Sequence, residues 1–271
     1  MPLTRVLITV KTYPTLSTRY EELVCTAGFR EDGTWIRIYP VQFRKKSYTE
    51  QYKKYDWVEV DLIRNDKDPR PESYRPVSHE SEFKVIGHID TARNWEQRKK
   101  ICLRQIYSNL NVLIGEAKNK DICTSLAVFR PTKVLDFIAE PVEREWDKAK
   151  LENLNQLNLF DTSKQGQFDV VQKLPYKFSY CFLDEEGKKS TLMIEDWETG
   201  QLYWNELSRF EGDEQKAISS VRKKYFEEFV ENKDLYFYMG TTREFHFMAP
   251  NPFIIIGTFY PKKEFQTKLF S

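Results

Sequence analysis

Histidine is nearly absent from this chain: among 271 residues only His79, His88 and His246 occur. Triads and metal centres built on imidazole therefore have little material. His246, set between Phe245 and Phe247, reads as a structural or stacking residue. Cysteine is scarce too. Cys25, Cys102, Cys123 and Cys181 lie far apart with no C-x-x-C pair, which argues against a zinc site and against a disulfide framework. There is no G-x-G-x-x-G, no Walker loop, no G-x-S-x-G and no H-E-x-x-H, so the common nucleotide, hydrolase and zinc-protease motifs are missing. No apolar run is long enough to span a bilayer, and Met1 to Arg5 lead into a strand-like segment without a signal peptide's apolar stretch. The expectation is a cytoplasmic protein with reduced thiols and no membrane contact. An excess of one charge sign is also lacking. With 42 Lys and Arg against 41 Asp and Glu, the net charge is +1, and only local clustering can speak for nucleic acid.

What is present is aromatic: 19 Phe and 15 Tyr against 10 Gly describe a chain with a packed core rather than a disordered one. Residues 5 to 90 read as short strands at Arg5 to Val10, Glu22 to Phe29, Thr34 to Tyr39, Asp56 to Leu62 and Phe83 to Ile89, separated by Pro, Gly and charged turns. Strict alternation at Ile36/Ile38 and at Val58/Val60/Leu62 predicts a sheet with one buried face, suited to a small barrel. Leu103, Ile106, Tyr107, Leu110, Leu113 and Ile114 recur at helical spacing. Ser208 to Glu211 fits a capping box ahead of an amphipathic helix carrying Ile218, Val221, Tyr225 and Phe229. The fold expected is α+β. It has a β-barrel-like module of PUA or ASCH type over 1–90, a helical connector over 91–160 and a mixed α/β region over 161–271.

The most chemical stretch is Ser190 to Glu198, read as a strand. Period-two alternation puts Leu192, Ile194, Asp196 and Glu198 on one face, so two carboxylates continue an apolar, core-seeking row. Burying them requires a metal, an Arg or Lys, or an open pocket. Asp196 and Glu198 are thus candidate catalytic residues and candidate ligands for magnesium or manganese, with ion pairing to lysines or arginines as the structural alternative.

A second constellation interleaves aromatics with cations. Trp35, Arg37 and Tyr39 share the outer face of one strand, followed by Arg44, and Arg70 and Arg75 sit on a rigid Pro-bounded loop. Such a set suits base stacking with phosphate contact, and packing of the rings is the plain alternative. The loop Lys11 to Glu22 adds Lys11 and Tyr13 as candidate ligand contacts. Gln156-Leu157-Asn158-Leu159-Phe160 resembles the short peptide by which bacterial DNA polymerases and repair proteins dock on the sliding clamp, with Gln156, Leu159 and Phe160 as anchors.

The blocks Lys11 to Pro14, Trp35 to Arg44, Arg70 to Pro76 and Asp196 to Tyr203 together resemble a family of bacterial and archaeal proteins associated with mobile elements and defence-type gene neighbourhoods. The resemblance implies a role in genome defence, such as antiviral defence, or in DNA processing, and implies no particular reaction. Some members carry a Cys/His cluster just before the Asp-Trp-Glu element. Only Cys181 stands there in this chain, so no zinc site is carried over. Three readings follow. One is a nucleic-acid-binding protein, for DNA or RNA, using the aromatic and basic face. Another is an enzyme on nucleic acid or nucleotides using Asp196 and Glu198 with magnesium or manganese. The third is an adaptor docked on the sliding clamp.

Overall fold

The computed structural model describes residues 3–17, 21–78, 80–149, 151–152 and 170–264 of the chain. The fold is α+β. Contacts group the chain into two compact units, Met1–Ile89 with Ala139–Lys177 and Glu195–Gly200, and Asp90–Ile138 with Phe178–Ile194 and Gln201–Ser271. The sequence suggested three consecutive stretches. Each compact unit instead draws on separated segments, because long-range packing assigns them and chain order does not. Among the described residues no helix is long and apolar enough to cross a membrane.

The first unit is one curled sheet. Its strands are β1 (Thr4–Lys11), β2 (Thr15–Ser17), β3 (Glu21–Phe29), β4 (Trp35–Val41), β5 (Asp56–Val60), β6 (Leu62–Arg64), β7 (Ser73–Pro76) and β8 (Lys84–His88). They run in the order β6-β7-β4-β3-β1-β5-β8 with β2 on β3, antiparallel except for β4 beside β7. The five strands expected in this region are all found, with ends shifted by a residue or two, and Leu62 starts a strand of its own. Alternation explains the core. Val6, Ile8, Val24, Ile36, Ile38, Val58, Val60 and Leu62 meet in one cluster with Phe43, Tyr52 and Phe83. Inner faces of five strands converge on a single cluster only when the sheet rolls into a half-barrel.

In the second unit two three-stranded sheets carry the core. One is β10 (Lys133–Pro141), β11 (Tyr176–Leu183) and β12 (Lys189–Met193). The other has β13 (Tyr236–Thr241) between β9 (Leu126–Phe129) and β14 (Phe253–Phe259). Aromatics fill the space between them: Phe129 meets Phe182 at 5.5 Å, and Tyr180 stacks on Phe237 at 4.9 Å between ring centres. The helices here include α1 (Ala92–Cys102), α2 (Leu110–Lys118), α3 (Trp197–Arg209), whose first turn belongs to the first unit, and α4 (Glu214–Arg222). Beyond α4 the chain widens into a π-helical stretch, Lys223–Glu228. There the Tyr180 hydroxyl donates to the Tyr225 carbonyl at 2.5 Å, the kind of side-chain insertion that opens a helical ladder. The wider turn keeps Ala217, Val221, Tyr225 and Phe229, all four apart, on the buried side.

One expectation is corrected here. The strand read over Ser190 to Glu198 ends at Met193, and Trp197 already begins α3. The Gly200 N–H donates to the Asp196 carbonyl at 3.2 Å, so Thr199-Gly200 belongs to the first helical turn. Asp196 and Glu198 therefore stand at a helix start and not on the face of a sheet.

Candidate active site

Lys11, Lys54, Asp196 and Glu198 converge in the first unit, and each is placed by a local irregularity. In β1 the register against β3 shifts between Ile8 and Val10. A bulge inserts one residue and reverses the side-chain alternation beyond it. Lys11 consequently turns toward the side that Val6 and Ile8 occupy, and its Nζ lies 3.9 Å from the Phe43 ring centre and 4.5 Å from that of Trp197. Lys54 sits just before Tyr55, whose φ of 69° swings the chain into β5. Its Nζ donates to Asp196 Oδ1 at 2.8 Å and to Glu198 Oε2 at 2.9 Å.

Burial sets the electrostatics. The Asp196 side chain is fully buried, whereas that of Glu198 is 45% exposed. Burial and the neighbouring Glu198 push the Asp196 carboxyl up to about 6 against the pull of Lys54 and Lys11. Burial and the like charge of Lys54 push the Lys11 amine down to about 8, against the pull of Glu198, Asp196 and Asp56. Asp196 Oδ2 is buried and accepts no hydrogen bond among the described residues. An orphaned carboxylate oxygen in a protein interior requires an explanation.

These positions change the metal expectation. The Lys54 ammonium stands between the two carboxylates, where a divalent cation had been assigned. Among the described residues no third His, Cys, Asp or Glu joins them to complete a metal shell. The donor set suits the ion pair and does not suit magnesium or manganese. Lys54 was missed because Lys53-Lys54 before a strand reads as a solvated turn, and only the fold brings residue 54 against residue 196.

The aromatic and basic set is divided rather than gathered. Lys11 and Tyr13 belong to the lysine–carboxylate cluster, with Tyr13 6.4 Å from Trp197. Arg37 is buried, with Nη1 3.8 Å from Cys25 Sγ, and burial lowers its pKa. Arg70 is buried as well and grips Asp68 through Nε at 2.8 Å and Nη2 at 2.6 Å. Burial pushes the Asp68 carboxyl up, yet the Arg70 bonds outweigh it and bring it down to about 2. Arg70 thus fastens the 65–73 loop, and the Arg37 guanidinium lies buried beside Cys25 rather than facing solvent. Trp35 is half-buried against Phe29 at 4.0 Å, Arg44 is half-buried, and Tyr39 and Arg75 are exposed. Gln156, Leu159 and Phe160 lie outside the described residues.

Gly200 shows how tightly the site is built. A Cβ there would stand 2.3 Å from the Tyr13 ring. Gly200→Ala is expected to displace that ring, break the Tyr13 hydroxyl bond to the Gln172 carbonyl and cost about 1–3 kcal/mol. Thermal melts of the variant beside wild type measure it, and an unchanged midpoint refutes the close packing.

The second unit holds cations of its own. Two clefts of about 460 and 630 Å³ share Arg130, Asp234 and Lys263. Lys99 and Lys262 line the first, Lys133 and Lys233 the second. Arg130 pairs with Asp234 at 3.0 Å and Lys99 with Glu264 at 2.6 Å, which leaves the clefts basic on balance.

No curated protein matches the chain. Residues 2–104 match the family model described as Domain of unknown function (DUF8758). A second model, matched by residues 106–271, covers more than half of the chain, which therefore belongs to the family described as Domain of unknown function (DUF8757).

Proposed function

We propose that the protein is a cytoplasmic enzyme acting on nucleic acid or a nucleotide in genome defence or DNA processing, with Lys11, Lys54, Asp196 and Glu198 as its proton-transfer centre. The observation that carries this reading is the buried Asp196 carboxylate, held by Lys54 through one oxygen and without a hydrogen bond on the other. Between about 6 and about 8, Asp196 is ionised and Lys11 protonated. That combination is a base and an acid side by side at neutral pH. Lys54 fixes the carboxylate, and the half-exposed Glu198 marks the solvent side of the cluster. The substrate class rests on the resemblance of the Lys11 to Pro14 and Asp196 to Tyr203 blocks to proteins of defence-type gene neighbourhoods.

Activity is expected to follow a bell-shaped pH profile. It falls below about 6 as Asp196 gains its proton and above about 8 as Lys11 loses its own. The measurement is turnover of single- and double-stranded DNA, RNA and nucleoside triphosphates by the full chain from pH 5 to 9, with Lys11→Met and Asp196→Asn as controls. Competitive acylation of lysines, read peptide by peptide, gives the Lys11 midpoint independently of any substrate. A Lys11 that titrates with the exposed lysines near 10.5, in a protein that turns over none of these, would end the proposal.

A further inference from the structure

We propose that Cys123, His246 and Thr241 form a second chemical site, a nucleophilic thiol for esters or thioesters of apolar carboxylic acids. Cys123 Sγ lies 3.3 Å from His246 Nε2, and His246 Nδ1 lies 2.8 Å from Thr241 Oγ1. A nucleophile, a base and a group that orients the base thus stand in line. With Thr241 Oγ1 accepting from Nδ1–H, the bare Nε2 nitrogen faces the thiol and takes its proton. All three side chains are buried, so bulk water does not level the pair.

The topology explains the meeting. Strand β9 pairs antiparallel with β13, and Leu126 lies opposite Gly240. Cys123 therefore comes just ahead of β9 at the sheet end where Thr241 closes β13, and His246 lies in the turn that follows. Backbone geometry adds a second observation. Cys123 closes the turn after α2 with a φ of 53°, a conformation ordinarily given to Gly or Asn. A cysteine there tolerates strain that a glycine avoids, and what it supplies in return is the sulfur facing His246.

A third observation points to the ligand. Ile122 is 50% exposed, Phe245 49%, Phe247 40% and Met248 73%. Each lies within two residues of Cys123 or His246, so the two segments that meet at the Cys123–His246 contact carry four exposed apolar side chains. Such a lip suits an apolar acyl chain and not a phosphate. The balanced step is acyl transfer. Sγ bonds to the carbonyl carbon while His246 Nε2 takes the thiol proton. The bond to the leaving alcohol or thiol then breaks, and the leaving group takes that proton. Water cleaves the resulting thioester with His246 as base, restoring the thiol. The site is independent of the lysine–carboxylate cluster.

The test uses the full chain with p-nitrophenyl hexanoate. Wild type is expected to release one equivalent of nitrophenolate in a burst and to carry a hexanoyl group on the Cys123 peptide by mass spectrometry. The acetate ester should acylate it more slowly, because it leaves the apolar lip unfilled. Cys123→Ser abolishes the burst, and His246→Gln slows it roughly 100-fold or more. Where His246→Gln fails to fold, the pH dependence of iodoacetamide alkylation at Cys123 in wild type decides. Reaction well below the range of an ordinary thiol supports the pair, and reaction rising only near 8.5 refutes it. A folded wild type whose Cys123 takes up neither reagent overturns the proposal, as does a folded His246→Gln that acylates at the wild-type rate.

Discussion

Lys54→Met is expected to lose about 3–5 kcal/mol at pH 8, because it strands a buried carboxylate without its cation. The Lys54 ammonium is the only group bonded to Asp196 Oδ1 among the described residues, and Oδ2 has none. The loss should shrink markedly at pH 5. A carboxyl whose folded pKa lies above its unfolded 3.8 contributes stability that is complete below 3.8 and lost as pH rises through the folded value. That value is about 6 with Lys54 in place and higher without it, so at pH 5 the variant simply holds Asp196 protonated. Adding Asp196→Asn should restore most of the stability at pH 8, since both halves of the pair are then neutral. Urea titrations of wild type, single and double variants at the two pH values give the answer. A deficit equal at pH 5 and 8, unrelieved in the double variant, would mean that the lysine matters for packing alone.

Gly28→Ala should be at least as damaging, at about 4 kcal/mol or more, or prevent folding altogether. Gly28 lies opposite Ile8 in the β1–β3 pair, and a Cβ on it would stand 2.0 Å from the Leu7 carbonyl oxygen. The obstacle is backbone, which has no rotamer to escape into, so the two strands must part. Gly87→Ala in β8 meets nothing within 4 Å and serves as the control, with a gain of about 0.5–1 kcal/mol expected. Circular dichroism and melts compare the two. Native stability in Gly28→Ala would contradict the strand spacing.

Local pattern carried far in the half-barrel and less far beyond it. Ile36 with Ile38, and Val58 with Val60, alternate in sequence and are buried together, because a strand's period of two is a property of each residue's own backbone. The same rule misread Ser190 to Glu198. Leu192 and Ile194 do continue the apolar row, but Trp197 to Arg209 is helical, and a carboxylate at a helix start imitates the next step of an alternation. Ser208 to Glu211, read as a capping box, is the end of α3. Glu211 and Gly212 take φ of 53° and 91°, and Asp213 caps the next helix by accepting from the Lys216 N–H. Helix starts and helix ends use similar polar residues, and only backbone geometry tells them apart.

By itself the sequence determined the α+β class, the five strands expected in the first unit, and the need of Asp196 and Glu198 for a partner. All three follow from local periodicity or from the cost of burying charge, which need no knowledge of distant residues. Only the tertiary structure decided that the partner is Lys54, that a bulge near Thr9 turns Lys11 inward, and that Arg37 and Arg70 are buried. It also brought Cys123 to His246 across more than a hundred residues. Such pairings depend on sheet register and on the curl of the half-barrel. These arise from the summed packing of many side chains, and no single stretch of sequence encodes them.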